Sequence, residues 1–187
     1  MGSIVVLASP LPAASLARLL NISQTRVDSR LDLLHSVLSV PSSSSSSVRL
    51  LHLSFRDFLL DPEKRETNAF WVDEQQTHKR LAAYCLRVMS DCLRPDICGL
   101  QAPATPRSTI NPETIKANLS SEVQYACLYW VYHVEQSQIR PHDGDQVHDF
   151  LCQYFLQWLE ALSLIGRVSE SIGIIKTLQS LVEVSDV

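Results

Sequence analysis

The chain has 187 residues, 45% hydrophobic and 19% charged, with a formal net charge of −4 and a sequence pI near 5.8. That length buries a core without staples, and the acidic balance speaks against a general nucleic-acid grip, which needs clustered Lys and Arg. Cysteines at 85, 92, 98, 127 and 152 are odd in number and form no C-x-x-C, which fits reduced thiols in a cytoplasmic protein better than a disulfide framework.

The first charge is Arg18, yet Gly2 to Ala17 lacks the basic start of a signal peptide and is interrupted by Pro10 and Pro12. Val6 stands where N-myristoylation wants Ser or Thr. No uncharged apolar run reaches the roughly 18 residues of a membrane span. Pro12 suits the first turn of a helix with Leu16, Leu19 and Leu20 inward. Asn21-Ile22-Ser23 is a tight turn. Ser23 then caps a second helix carrying Val27, Leu31, Leu34 and Leu38 at helical spacing. Two β-prone runs, Val37–Val40 and Val48–Leu53, flank Pro41 and six serines, which predicts a hairpin with a solvated polar tip. Ser54 starts another helix in a capping-box pattern with Asp57, and Asp61-Pro62 ends it. Helix, turn, helix, hairpin is the order of a winged helix.

From residue 63 no further strand signal appears. A long amphipathic helix is expected over 74–93, with Leu81, Cys85, Val88, Met89 and Cys92 inward. Residues 98–112 read as a linker, and Asn111-Pro112 opens a short helix. Ser120 caps 121–136, with Val123, Cys127, Trp130, Val131 and Val134 inward. The stripe of 146–165 runs from Val147 and Phe150 through Trp158 to Leu162, and Gly166 supplies a left-handed stop. A last helix runs from 169 to 183 on Ile172, Ile175, Leu178 and Leu181. The expected fold class is mainly α: a winged-helix domain with a small β-hairpin over 1–62, then an α-helical bundle or superhelical connector over 63–187.

Few residues suggest chemistry. The glycines are 2, 99, 144, 166 and 173, and none precedes a lysine, so no P-loop can be written. No G-x-S-x-G, H-E-x-x-H or paired-cysteine metal motif occurs, and an enzyme is the least favoured reading. His142-Asp143-Gly144-Asp145 with His148 has metal-like residues but reads better as a polar turn with an Asp N-cap. The helix-turn-helix of 13–38 offers Gln24, Arg26 and Arg30 to DNA, with Asp28 and Asp32 expected on the same surface and opposing phosphate contact. His52 precedes the helix of Ser54. A helix start favours hydrogen bonding to an anion, and the competing reading is a core histidine bonded to a backbone carbonyl.

The segment Leu51-His52-Leu53-Ser54-Phe55-Arg56-Asp57-Phe58-Leu59 resembles the HLSF signature that ends the winged helix of NACHT-type STAND ATPases, the NLR-like proteins. Ser15-Leu-Ala-Arg-Leu-Leu-Asn21, Arg30-Leu-Asp-Leu-Leu-His-Ser-Val-Leu38, Phe70-Trp-Val-Asp-Glu74, Asp96-Ile-Cys-Gly-Leu100, Gln124-Tyr-Ala-Cys-Leu-Tyr-Trp-Val131 and Trp158-Leu-Glu-Ala-Leu-Ser-Leu164 look like one branch of that family, the fungal vegetative-incompatibility proteins with NACHT and WD-repeat domains. The resemblance implies a non-catalytic regulatory and scaffold segment. In that family the winged helix closes over an upstream nucleotide-binding domain in the resting state, its histidine touches the ADP phosphates, and exchange for ATP releases it. His52 matches that histidine. The implied partners are the NACHT domain, in cis or trans, and downstream WD repeats, with neither nucleic acid nor membrane. ADP or ATP belongs to the full-length family and no cofactor to this chain alone. Since neither a nucleotide-binding domain nor WD repeats occur here, the chain is expected to be a fragment, a truncated gene product or a degenerate relative that does not hydrolyse ATP. The alternatives are a DNA-binding winged-helix regulator and a free-standing helical adaptor.

Overall fold

A computed structural model describes residues 2–40, 46–101 and 105–183. The chain starts with a single helical turn, α1 (Gly2–Val5), which inserts Val5 and Val6 into the core. Helix α2 (Ala13–Leu20) begins after Pro12, whose fixed φ of −60° suits the N-cap. It buries Leu16 and Leu19, and stops at Asn21 in the left-handed region at φ 53°. Asn tolerates that conformation better than most residues, and its backbone N–H satisfies carbonyls of the last turn. Helix α3 (Gln24–Asp32) follows with Val27 and Leu31 inward. Ser23 stands at its N-cap, but its hydroxyl makes no capping bond.

The apolar stripe expected to run helically to Leu38 splits. The chain leaves the helix after Asp32, and Leu38 is instead buried from a strand, with 3% of its surface exposed. A spacing that fits a helix face is met here by a turn and a strand, because both bring the leucine to the same core. Strands β1 (Leu38–Ser39) and β2 (Arg49–Leu50) pair antiparallel, Leu38 opposite Leu50. A bridge between Pro12 and Ser47 and a bond from Val48 N–H to Leu11 O (3.0 Å) tie this hairpin to the entry of α2. Most of the predicted serine tip, residues 41–45, lies outside the described residues. Helix α4 (Leu53–Leu60) starts one residue earlier than expected, with His52 at its N-cap and no side-chain cap, so the Ser54–Asp57 box does not form. Asp61 and Pro62 close it as predicted, and the Asp61 carboxylate accepts the Glu63 N–H at 3.0 Å.

Helix α5 (Glu74–Cys92) is capped by Asp73, whose side chain accepts the Gln76 N–H at 2.8 Å. It packs most extensively on α7 (Ser121–Gln136), after a short α6 (Pro112–Asn118) capped by Asn111. Ser120 precedes α7, but its hydroxyl bonds the Glu122 carboxylate rather than the backbone. Helix α8 (Gln146–Leu164) lays Trp158 edge-on against Trp130, with ring centroids 5.9 Å apart and both rings fully buried. The Trp158 indole N–H donates to Cys127 O at 2.9 Å. Gly166 ends α8 at φ 77°, as its position predicts. Helix α9 (Glu170–Glu183) packs on α7 through Ile174, Ile175, Leu178 and Leu181, whereas Ile172, expected inward, is 62% exposed.

Helices α1 and α2 both rest on α5, and α2 also touches α7. One contiguous apolar cluster therefore runs from Val5 to Leu178. The mainly α class with a small hairpin is what the sequence led us to expect. Among the described residues no helix is long and apolar enough to cross a membrane.

Candidate functional site

His52 sits at the junction of β2 and α4. Its backbone is extended (φ −136°, ψ 135°) because the strand direction continues to the last residue before the helix. The burial alternation runs out on the way: Val48 is buried, Leu50 half-buried and His52 exposed. The core-histidine reading is thereby overturned, since no packed neighbour encloses the ring. Its side chain also makes no capping bond. On either side Leu51 and Leu53 are 47% and 77% exposed. A leucine so open costs solvation free energy unless something covers it, so the stretch is an apolar ledge with an imidazole in the middle. Beside it, a depression of about 650 Å³ lies between the N-terminal segment, β2 and α4, with Arg49 and Arg56 on its wall; His52 itself does not line it.

A polar chain that the sequence did not announce runs from the half-exposed Arg56 and Glu74 to the buried His78, His133 and Tyr125. The Arg56 Nε donates to Val5 O at 3.2 Å and its Nη2 pairs with Glu74 Oε1 at 3.1 Å. Glu74 Oε1 is 4.0 Å from His78 Nε2. His78 Nδ1 meets His133 Nδ1 at 2.7 Å, and His133 Nε2 meets the Tyr125 hydroxyl at 2.7 Å. That hydroxyl accepts the Ala8 backbone N–H at 3.1 Å. These partners dictate the tautomers. The Tyr125 hydroxyl donates to His133 Nε2, which puts the His133 proton on Nδ1. That N–H donates to His78 Nδ1, leaving the His78 proton on Nε2, pointed toward the Glu74 carboxylate. The opposite polarity would leave the Tyr125 hydroxyl proton without an acceptor and aim a bare lone pair at Glu74. Both rings are neutral: burial holds His78 below the ordinary histidine range, and burial together with the facing His78 pushes His133 down to about 3. His78 Nε2 has no partner within bonding distance.

Sequence reading missed this chain because His78 and His133 fall on the inward stripes of α5 and α7, where they look like apolar positions filled by an odd residue. The available signal was that each histidine lies among buried neighbours on its own helix. Tyr125 stands in an aromatic set with Tyr129, Trp130 and Tyr132 along α7. Of that set Tyr125 and Trp130 are core and the other two are half-buried.

A second polar contact joins α2 to α7. Arg18 forms a two-pronged pair with Glu122, its Nη2 3.0 Å from Oε2, and the Ser120 hydroxyl donates to Oε1 at 2.7 Å. Burial raises the Glu122 pKa, but the bonds from Arg18, Ser120 and Ser15 more than offset it, so the carboxyl titrates below its usual range. The predicted turn at 142–148 is a cap and nothing more: Asp145 accepts the N–H groups of His142 and His148, both at 2.9 Å. Among the described residues no group of His, Cys, Asp or Glu is arranged to hold a metal ion. The five thiols are unpaired, with Cys85 and Cys127 buried.

Comparison with known proteins adds one finding. Over 108 residues the chain is 35% identical to the vegetative incompatibility protein HET-E-1 of Podospora anserina, covering 51% of this chain and 8% of that protein. The chain thus spans a small fraction of the relative it matches. No family model and no solved structure matches.

Proposed function

We infer that this chain is a non-catalytic regulatory segment of an NLR-like signalling ATPase of the vegetative-incompatibility type. Residues 1–62 act as its winged helix and residues 63–187 as a helical connector, working in the cytoplasm. The similarity to an incompatibility protein supports the setting. The single observation that carries the docking role is His52 itself: an exposed imidazole at an uncapped helix start, between two exposed leucines. A surface of that kind suits closure onto a nucleotide-binding domain of the NACHT type, in cis or trans. The leucines meet the domain, and the imidazole reaches an ADP phosphate beside the positive end of α4. Exchange for ATP favours the released arrangement, because a ligand shifts a two-state equilibrium by its differential affinity for the two states. WD repeats downstream complete the assembly in family members. The chain itself supplies no P-loop and performs no hydrolysis.

The test is binding to a separately expressed NACHT domain from a close relative, loaded with ADP, loaded with ATP, or empty. Binding is expected to be tightest with ADP. His52→Ala should weaken the ADP complex by about 1.5–3 kcal/mol, the range for a hydrogen bond to a charged group, which is roughly tenfold to a hundredfold in affinity. Because His52 is exposed, the same substitution should leave stability within about 0.5 kcal/mol of wild type. Binding that ignores nucleotide, or a His52→Ala complex as tight as wild type, refutes the reading.

A further inference from the structure

The first helices and α5 leave a groove that their own side chains do not fill. Its volume is about 480 Å³. Leu16 and Leu20 of α2, Val27 and Leu31 of α3 and Tyr84 of α5 line it. The lip carries Leu33, which is 81% exposed, and Ile22, which is 37% exposed. Leu33 is the C-cap residue of α3.

The groove is also charged. Arg26 and Arg30 of α3 and Arg80 of α5 line it, and no acidic side chain does. Neither Arg26 nor Arg30 forms an ion pair among the described residues, and Arg80 makes a long bond to Gln76 O (3.4 Å). The sequence suggested that Asp28 and Asp32 share this surface and cancel the arginines. They do not line the groove: at about 100° per residue, position 28 lies roughly 200° around the helix from position 26. Asp28 is held by Gln24 at 2.7 Å, and Asp32 stands 3.6 Å from His35. A chain of net charge −4 thus concentrates three cations around one apolar trough.

We propose that this groove is a docking site for an acidic amphipathic helix of a partner protein. Such a helix presents apolar residues at i, i+3 or i+4, and i+7 to the trough and flanking Glu or Asp to the arginines. The trough's lining includes the exposed apolar side chains Leu33 and Ile22, which suits a helix ridge better than an enclosed small ligand. Duplex DNA needs a protruding reader rather than a concave apolar wall. The site is independent of the role proposed for His52 and involves none of the same residues.

The experiment uses the full chain and two labelled synthetic helical peptides of about five turns. They share one leucine stripe; one is flanked by Glu, the other by Lys. Fluorescence anisotropy reads binding at low and high salt. The Glu peptide is expected to bind about tenfold or more tightly than the Lys peptide, with the difference shrinking at high salt. The double variant Arg26→Glu, Arg30→Glu should abolish that preference, and Leu33→Asp should weaken binding of the Glu peptide. Arg26, Arg30 and Leu33 are exposed, so circular dichroism should show all variants folded. Equal binding of the two peptides, or a Glu peptide indifferent to the arginine reversal, overturns the proposal. So does displacement of the Glu peptide by duplex DNA, which would mark the arginines as phosphate contacts.

Discussion

Acidification should loosen this protein through a buried histidine. His133 is fully buried and held neutral, with its pKa pushed down to about 3 from an ordinary 6.5. The unfolded chain therefore binds a proton that the folded chain refuses between these two values. Stability rises with pH wherever the unfolded state holds more protons. The contribution is thus fully present above about pH 6.5 and lost progressively as pH falls toward 3. Between about pH 7 and pH 4.5 the loss from His133 alone is about 2.5 kcal/mol, using 1.36 kcal/mol per unit. His78 is shifted in the same direction and adds to it; the Glu74 carboxylate facing it works against this and Arg56 beyond works with it. Glu122, the buried carboxylate, is held below its usual range, so its stabilisation is lost only from the acid end of this window downward and in the same direction. The assay is urea unfolding followed by the fluorescence of Trp130 and Trp158, both buried. His133→Phe should be less stable at neutral pH, because it orphans the Tyr125 hydroxyl and the inner nitrogen of His78. Its stability should also depend less on pH across the same window. Flat stability from pH 6.5 to 4.5 in the wild type, or an unchanged slope in His133→Phe, would refute the neutral buried pair.

Two further substitutions probe other contacts. Arg18→Ala leaves the Glu122 carboxylate buried without its cation and should destabilise by about 1–3 kcal/mol, less than a fully buried pair because Arg18 is half exposed. Adding Glu122→Gln should recover part of the loss, which urea midpoints would show. Gly166→Ala places a Cβ 3.1 Å from the Arg107 guanidinium at a φ of 77°. It should lower stability by about 1–2 kcal/mol, the strain of a left-handed non-glycine residue, and a melting temperature equal to wild type would contradict that.

The helices of the second half were legible because their stripes are long. Helix α5 has enough turns for Leu81, Cys85, Val88 and Met89 to declare one face, and α7 and α8 likewise. Shorter segments misled. Leu34 and Leu38 fit the spacing of α3, yet a turn and a strand deliver Leu38 to the core just as well. Ser23, Ser54 and Ser120 carry the composition of caps without making the bonds: the starts of α3 and α4 are exposed to water, and Ser120 turns its hydroxyl to the Glu122 carboxylate. His52 is singled out by its motif alone, and its exposure is not legible there, because the β-prone run to Leu53 continues past the end of β2 at Leu50. The His78–His133–Tyr125 chain needed three dimensions: its members are 8 and 55 positions apart and belong to helices whose facing is set only by packing. The arginine-lined groove was hidden by reading α3 as one surface when its two flanks carry opposite charge.

The fastening of α2 has a mechanical consequence. Arg87 of α5 donates to the carbonyls of Arg18 and Leu19 at 3.1 and 2.9 Å, closing the C-terminal end of α2 with a cation. Arg18 reaches α7, and the Ala8 N–H is held by Tyr125. Four ties of side chain to distant backbone or side chain, over a shared apolar core, leave no slack near residue 62. The first sixty residues and the long helices are a single stiff lever. In the proposed switch, a swing of the ledge carries α5 through α9 along with it: a rotation of roughly 20° moves a point one α8 length away, about 28 Å at 1.5 Å per residue, by about 10 Å.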